Sequence, residues 1–168
     1  MYRVLFFAVA LLVATTAATI VGCSSSSSPS GDPSNSFRVN GEGFSDILIE
    51  AIQTMGGVIA VESDGMGSIG LLGTDGSNTY TATLTISNVK TGTFQINAFD
   101  GVTASLGVVT PGSGLSIYFA KSGTITIDSW GGVGGRAKGS FEAEVEKTSG
   151  SGTVTLKGNF DVAQITVE

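Results

Sequence analysis

The eight residues Thr79-Tyr80-Thr81-Ala82-Thr83-Leu84-Thr85-Ile86 decide the fold class. Threonine fills every odd position, and Tyr80, Ala82, Leu84 and Ile86 fill the even ones. A strand turns successive side chains to opposite faces, so this stretch has one apolar face and one hydroxyl face. A helix of the same residues would scatter both sets around its axis. One dry and one wet face is the habit of antiparallel sheets, and β-branched Thr suits the wet side.

The pattern recurs on both sides of this stretch. Residues 93–99 set Phe94, Ile96 and Ala98 against Thr93, Gln95 and Asn97. Ile125 and Ile127 oppose Thr124, Thr126 and Asp128; Phe141, Ala143 and Val145 oppose Glu142, Glu144 and Glu146; Val154 and Leu156 oppose Thr153, Thr155 and Lys157. Weaker strands read at 68–72, 103–109 and 115–120. Residues 36–44 read as a short hairpin around Asn40-Gly41. Residues 46–54 fit either a strand or a helix, and the Gly56-Gly57 pair before Val58-Ile59-Ala60-Val61 favours a hairpin. Asp64-Gly65, Asp75-Gly76, Asp100-Gly101, Pro111-Gly112 and Ser122-Gly123 supply turn chemistry. About ten short strands joined by tight turns predict an all-β, antiparallel β-sandwich, with a closed up-and-down β-barrel as the alternative. A transmembrane barrel needs longer strands, aromatic girdles and an apolar outer face, which one Trp and Thr-rich faces do not supply.

One register follows from turn chemistry. Gly150-Ser151 suits a two-residue type II′ turn, which sets Glu144 opposite Lys157 and Phe141 opposite Phe160. A four-residue loop sets Glu142 opposite Lys157 and Phe141 opposite Gly158 instead. The two-residue turn is the preferred reading. Both keep Phe141 on the inner face and relieve the Glu column with Lys157.

Composition excludes several classes of function. The chain has 168 residues, 13% charged, with 25 Gly, one Cys and no His. One ordinary domain with a tail fits this length. A single Cys rules out an internal disulfide framework and multi-thiolate metal sites. Lack of His removes the commonest general base and metal ligand. A net charge of −6 leaves no electrostatic footprint for nucleic acid.

The first segment reads as an address. Arg3 precedes an apolar run at 4–13, which loosens into Ala14-Thr15-Thr16-Ala17-Ala18-Thr19. This run is marginal for a membrane span and ends in small residues at a candidate cleavage site, as secretory signals do. Ile20-Val21-Gly22-Cys23 follows and resembles the bacterial lipobox. That resemblance implies that Cys23 becomes the first mature residue and carries a diacylglycerol thioether and an N-terminal acyl chain, with palmitate as a typical acyl group. Several chains together anchor a protein stably where one does not. The serine run 24–28 and Pro29-Ser30-Gly31-Asp32-Pro33-Ser34-Asn35-Ser36 cannot bury apolar surface and read as a disordered tether. Ser24 in place of Asp after the lipidated Cys resembles an outer-membrane address. No acidic surface-export cluster follows, which favours the periplasmic face over the cell surface. The expected division is signal peptide 1–22, lipidated Cys23 and tether 23–36, and antiparallel β domain 37–168.

No catalytic residues, metal ligands or cofactor sites emerge. Glu142, Glu144 and Glu146 sit at about 7 Å spacing on one face, a distance like that of glycosidase carboxylates, but one exposed strand is not two walls of a cleft. Asp64, Asp75, Asn78 and Asp100 offer loop oxygens without the dense acidic spacing of a calcium loop. Ser nucleophiles lack a His partner, a Gly-x-Ser-x-Gly elbow and a Ser-x-x-Lys motif. The Gly-rich run 131–135 lacks the context and Lys of a phosphate loop. Thr columns resemble ice-binding faces but lack a fixed-period repeat. The one candidate binding residue is Trp130, placed beside a flexible Gly-rich loop as a stacking platform, or else as a plug for one end of the fold.

Three stretches resemble a family of uncharacterised bacterial lipoprotein domains: Ser122-Gly123-Thr124-Ile125-Thr126-Ile127-Asp128, Ala137-Lys138-Gly139-Ser140-Phe141-Glu142-Ala143, and residues 152–162 with Thr153-Val154-Thr155 and Gly158-Asn159-Phe160-Asp161-Val162. Phe37-Arg38-Val39-Asn40-Gly41-Glu42-Gly43-Phe44 resembles that family's opening hairpin. The resemblance covers the two ends of the domain and leaves 46–67 uncovered. It implies an all-β domain on a lipid anchor, without catalytic residues to carry over. The expected function is a lipid-anchored, non-catalytic binding or structural module of the cell envelope, with an envelope glycan or protein as partner. The alternatives are a small-ligand carrier with a barrel cavity and a carboxylate-dependent hydrolase.

Overall fold

The computed structural model describes residues 33–53, 58–132 and 134–166. The signal segment, Cys23, most of the tether, Thr54, Gly56-Gly57 and Val133 lie outside the described residues. The unit Asp32–Glu168 is compact by itself and contains the ladders and the buried core found among the described residues.

Ten strands follow one another: β1 (Ser36–Gly41), β2 (Phe44–Glu50), β3 (Val58–Ser63), β4 (Met66–Thr74), β5 (Thr79–Ser87), β6 (Gly92–Gln95), β7 (Val102–Thr110), β8 (Gly114–Trp130), β9 (Arg136–Lys147) and β10 (Thr153–Thr166). They form a single curled sheet in the order β2-β1-β10-β3-β4-β5-β7-β8-β6, and β9 lies between β10 and β8. Every ladder is antiparallel except β10–β3. The all-β, antiparallel reading is therefore the observed fold. A single sheet supplies both walls, because β8 and β10 pair with different neighbours along their lengths. The first half of β8 pairs with β7 and its second half with β6. The first part of β10 pairs with β1 and β9 and its end with β3.

Inward residues from both walls meet in one core. Phe37, Val39, Val145, Val154 and Leu156 come from one side, and Ile69, Tyr80, Ala82, Leu84 and Leu106 from the other, all fully buried. The Thr79 stretch behaves as its pattern requires, with alternate residues buried along β5.

Several local expectations are corrected. The last three strands are long rather than short. Ser122-Gly123 is a bend inside β8, not a hairpin turn. The ladder shifts between Ala120 and Ser122, and Gly123 has φ 140°. A side chain there would strike the Glu142 carbonyl and the Ala143 Cα, so glycine lets β9 approach. The first hairpin turns at Glu42-Gly43, two residues beyond Asn40-Gly41. Gly41 pairs with Phe44, and both loop residues have positive φ, the type I′ requirement. Residues 44–50 resolve the helix–strand ambiguity as strand. Strand β6 ends at Gln95, so Ala98 is exposed rather than inward. Asn97 stops it: its side-chain oxygen accepts the Phe99 N–H at 3.0 Å and its Nδ2 donates to Asp100 at 2.7 Å, closing a 3-10 turn over Ala98–Asp100.

The preferred β9–β10 register is also corrected. Lys157 pairs with Glu142, and Phe141 with Gly158, as the four-residue loop requires. The Lys147 N–H donates to the Gly152 carbonyl at 3.0 Å. Thr148 is drawn away to β8, where its N–H and hydroxyl both donate to the Ile117 carbonyl. That bond removes Thr148 from the ladder and lengthens the loop.

Candidate functional site

The end of β8, the start of β9 and the middle of β10 open on a depression of about 260 Å³, lined by Ser34, Asp128, Lys138, Gly139, Ser140, Asn159, Phe160 and Asp161. Its location follows from strand pairing: Ser140 lies opposite Asn159, and Lys138 opposite Asp161. Side chains on this row alternate with buried Ala137, Phe141 and Phe160, so the polar groups face outward while the strands stay pinned to the core.

The N-terminal wall is held by Asn35. Its Nδ2 donates to the Asp161 carbonyl at 3.1 Å, and its Oδ1 accepts the Asp161 N–H at 2.7 Å. The side-chain amide thus does for β10 what a backbone peptide would do in a ladder. Ser36 donates to the Pro33 carbonyl at 2.6 Å, and the Ala51 N–H donates to the Asn35 carbonyl at 2.8 Å. Asn35 and Ser36 are buried, so the end of the expected tether belongs to the fold. Sequence gave no sign of this, because an Asn in a Ser-rich run reads as solvent-facing.

On the opposite side, Arg136 Nε donates to Asp161 Oδ1 at 2.6 Å, and its Nη2 donates to the Asp161 carbonyl at 2.7 Å. Asp161 is therefore already engaged, whereas Asp128 and Lys138 are both exposed and make no ion pair among the described residues. Asn159 is the unusual member: its Oδ1 is shielded from solvent and has no hydrogen-bond partner. Such orphans are rare, because a buried unpaired acceptor costs about 1–3 kcal/mol. The depression therefore combines an unpaired acceptor, a free ammonium, a free carboxylate and two hydroxyls. That set can hold a hydroxylated or amide-bearing ligand by hydrogen bonds. It contains no paired nucleophile and base.

The residues singled out by sequence are not among those that line this depression. Trp130 is half-buried at the end of β8. Its Nε1 donates to Glu62 Oε2 at 2.6 Å, and its ring covers Gly67, where an added Cβ would come within 2.9 Å of it. Val89 packs at the same place. The ring thus packs against the core, with its N–H engaged by Glu62. Glu142, Glu144 and Glu146 are exposed on β9; Lys157 reaches Glu142 at 3.2 Å, and Lys121 reaches Glu146 at 3.9 Å.

Asp75 and Asn78 close the β4–β5 turn. Asp75 accepts the N–H groups of Ser77 and Asn78 at 2.8 and 2.6 Å and the Tyr80 hydroxyl at 2.7 Å. Desolvation pushes the Asp75 carboxyl up, but these bonds outweigh it and hold it at about 2. Burial, with the bond to Asp75, raises the Tyr80 hydroxyl to about 12. Burial also raises Tyr118, helped by the negative charge of Glu42. The Asp75 and Tyr80 shifts describe a turn fastened to the core. Among the described residues no cluster of acidic or thiol side chains could hold a metal ion.

Comparison with known family models, curated proteins and solved structures found no match.

Proposed function

We propose that this chain is a lipid-anchored protein of the bacterial cell envelope, held at the outer membrane through Cys23 with its β domain on the periplasmic side, and that it works as a non-catalytic binding module. The anchor reading rests on Ile20-Val21-Gly22-Cys23 and its likeness to a lipobox. The binding reading rests on one observation, the partnerless Asn159 Oδ1 in a polar depression with Lys138 and Asp128 unpaired beside it. The partner class that suits such a surface is an envelope glycan or a protein segment offering N–H or O–H donors. No observation favours the carrier reading, since the depression lies among outward side chains.

Two experiments test this reading. Cys23→Ser abolishes labelling by a fatty-acid analogue and releases the protein from membranes; unchanged labelling sinks the anchor. The unit 32–168, immobilised and exposed to envelope extract, captures a glycan or protein that Asn159→Val does not capture. Equal capture by both forms sinks the binding reading, and turnover abolished by one Asp or Glu substitution replaces it with a hydrolase.

A further inference from the structure

Charge is unevenly spread around the domain. Between Gly65 and Ala120 the charged residues are Asp75, Lys90 and Asp100, and all three lie outside the strands. The outward positions of β4, β5, β7 and the first half of β8 therefore carry none. The charged side chains of the strands gather on the other half of the surface, with Glu142, Glu144 and Glu146 on β9, Lys157 on β10 and Arg38 on β1.

This neutral face is ordered in rows. Leu72, Thr81, Gly107 and Ile117 stand in register across all four strands. At its β7–β8 side a ridge of large apolar side chains projects into solvent: Leu115 is 62% exposed, Phe119 57%, Ile117 38% and Val109 37%. A trough runs beside it. Gly107 lies between Ile117 and Thr81, and a Cβ there would meet nothing nearer than Leu115 Cδ1 at 3.8 Å. Contiguous exposed apolar surface of this kind marks an interaction site.

We propose that a second copy of this chain docks on this face, sheet against sheet, about a two-fold axis that passes between Gly107 and Ile117. Three observations select that occupant. A ridge and a trough side by side on one face are self-complementary under a two-fold rotation, which an isologous interface demands. The outward positions of these four strand segments carry no charge, and the nearest charged side chains, Glu146 opposite Phe119 and Lys121 paired with it at 3.9 Å, lie at the rim of the ridge, where solvent still reaches them. The pairing also sends the acidic halves of two copies, each of net charge −6, to opposite outer sides. The area is sufficient for a weak dimer. Strands about 4.8 Å apart, with outward residues about 6.8 Å apart along each, give a footprint of roughly 500 Å² per copy, at the lower end for a specific interface.

Sedimentation of the unit 32–168 over about 1 to 500 μM tests this, a range that spans weak association. The expected result is a concentration-dependent monomer–dimer equilibrium. Ile117→Glu weakens it at least about 100-fold, because a charge at the centre of a contact is left unpaired. Gly107→Trp fills the trough without adding charge and does the same, which guards against misfolding of either variant. Thr155→Glu on the charged half leaves the equilibrium unchanged. A wild-type unit that stays monomeric throughout overturns the proposal, as does a dimer indifferent to both face variants. So does a monomer that instead binds neutral phosphatidylcholine vesicles through Ile117.

Discussion

Phe141 lies directly opposite Gly158 across the β9–β10 ladder, and a Cβ at Gly158 would come within 2.8 Å of its ring and 2.7 Å of the Phe37 Cβ. The same exchange occurs two residues away. Phe160 stands opposite Gly139, where a Cβ would lie 2.7 Å from the Phe160 ring and would strike the Thr126 carbonyl. Each aromatic ring fills space that its glycine partner leaves open. Gly158→Ala is therefore expected to overpack the site and to cost about 2–3 kcal/mol. Phe141→Ala should leave a cavity worth about 3–5 kcal/mol. Urea midpoints read both, and a Gly158→Ala variant as stable as the parent would show that the ring is not held there.

The Tyr80–Asp75 bond ties the β4–β5 turn to the core. Tyr80→Phe removes it and should cost about 1 kcal/mol, while letting the Asp75 carboxyl rise from about 2 towards its ordinary value. The sign for Asp75 follows from its lowered pKa. Its contribution is full above the unfolded value near 4 and is lost as pH falls towards about 2. For Tyr80, raised to about 12, the contribution is full below about 10 and is lost between about 10 and 12. Stability measured against pH for the parent and Asp75→Asn should converge at the acid end. A constant gap across the acid range would contradict the assignment.

Trp130 is the single Trp, so its fluorescence reports its packing without labelling. Trp130→Phe should keep the ring over Gly67, lose the bond to Glu62 and cost about 1 kcal/mol. Gly67→Ala should push the indole outward and shift emission to the red, since an added Cβ lies 2.9 Å from both the ring and Val89. Unchanged emission in Gly67→Ala would mean that the indole is not seated on β4.

Asn159 separates binding from folding. Replacing an unpaired acceptor by an apolar group removes a desolvation cost and no hydrogen bond. Asn159→Val should therefore match or exceed the parent in thermal stability while losing partner capture. A loss of more than about 2 kcal/mol would show that the amide is structural after all.

Much of the architecture was legible because alternation is a local signal. Tyr80, Ala82, Leu84 and Ile86 are buried as their spacing requires, and Phe141, Ala143 and Val145 likewise. Boundaries were less legible where a single side chain decides them. Asn97 ends β6 through its own hydrogen bonds, and Thr148 leaves its ladder for a carbonyl on β8. The depression was not legible at all: Asn35, Asp128, Lys138 and Asn159 are scattered in sequence and share no spacing that marks a site.

The sequence by itself determined that the domain is built of antiparallel strands, which residues turn inward, and that its chemistry must do without His or paired thiols. It also carries the likeness to a lipobox at Cys23, a matter of chain order alone. Only the tertiary structure decided the β9–β10 register, the joining of both walls into one sheet by β8 and β10, and the meeting of Asn159 with Lys138 and Asp128. The reason is physical. The alternation of faces is written into each strand by its own side chains. Register and juxtaposition depend on which side chains share space, as Phe141 does with Gly158, and no single strand specifies that.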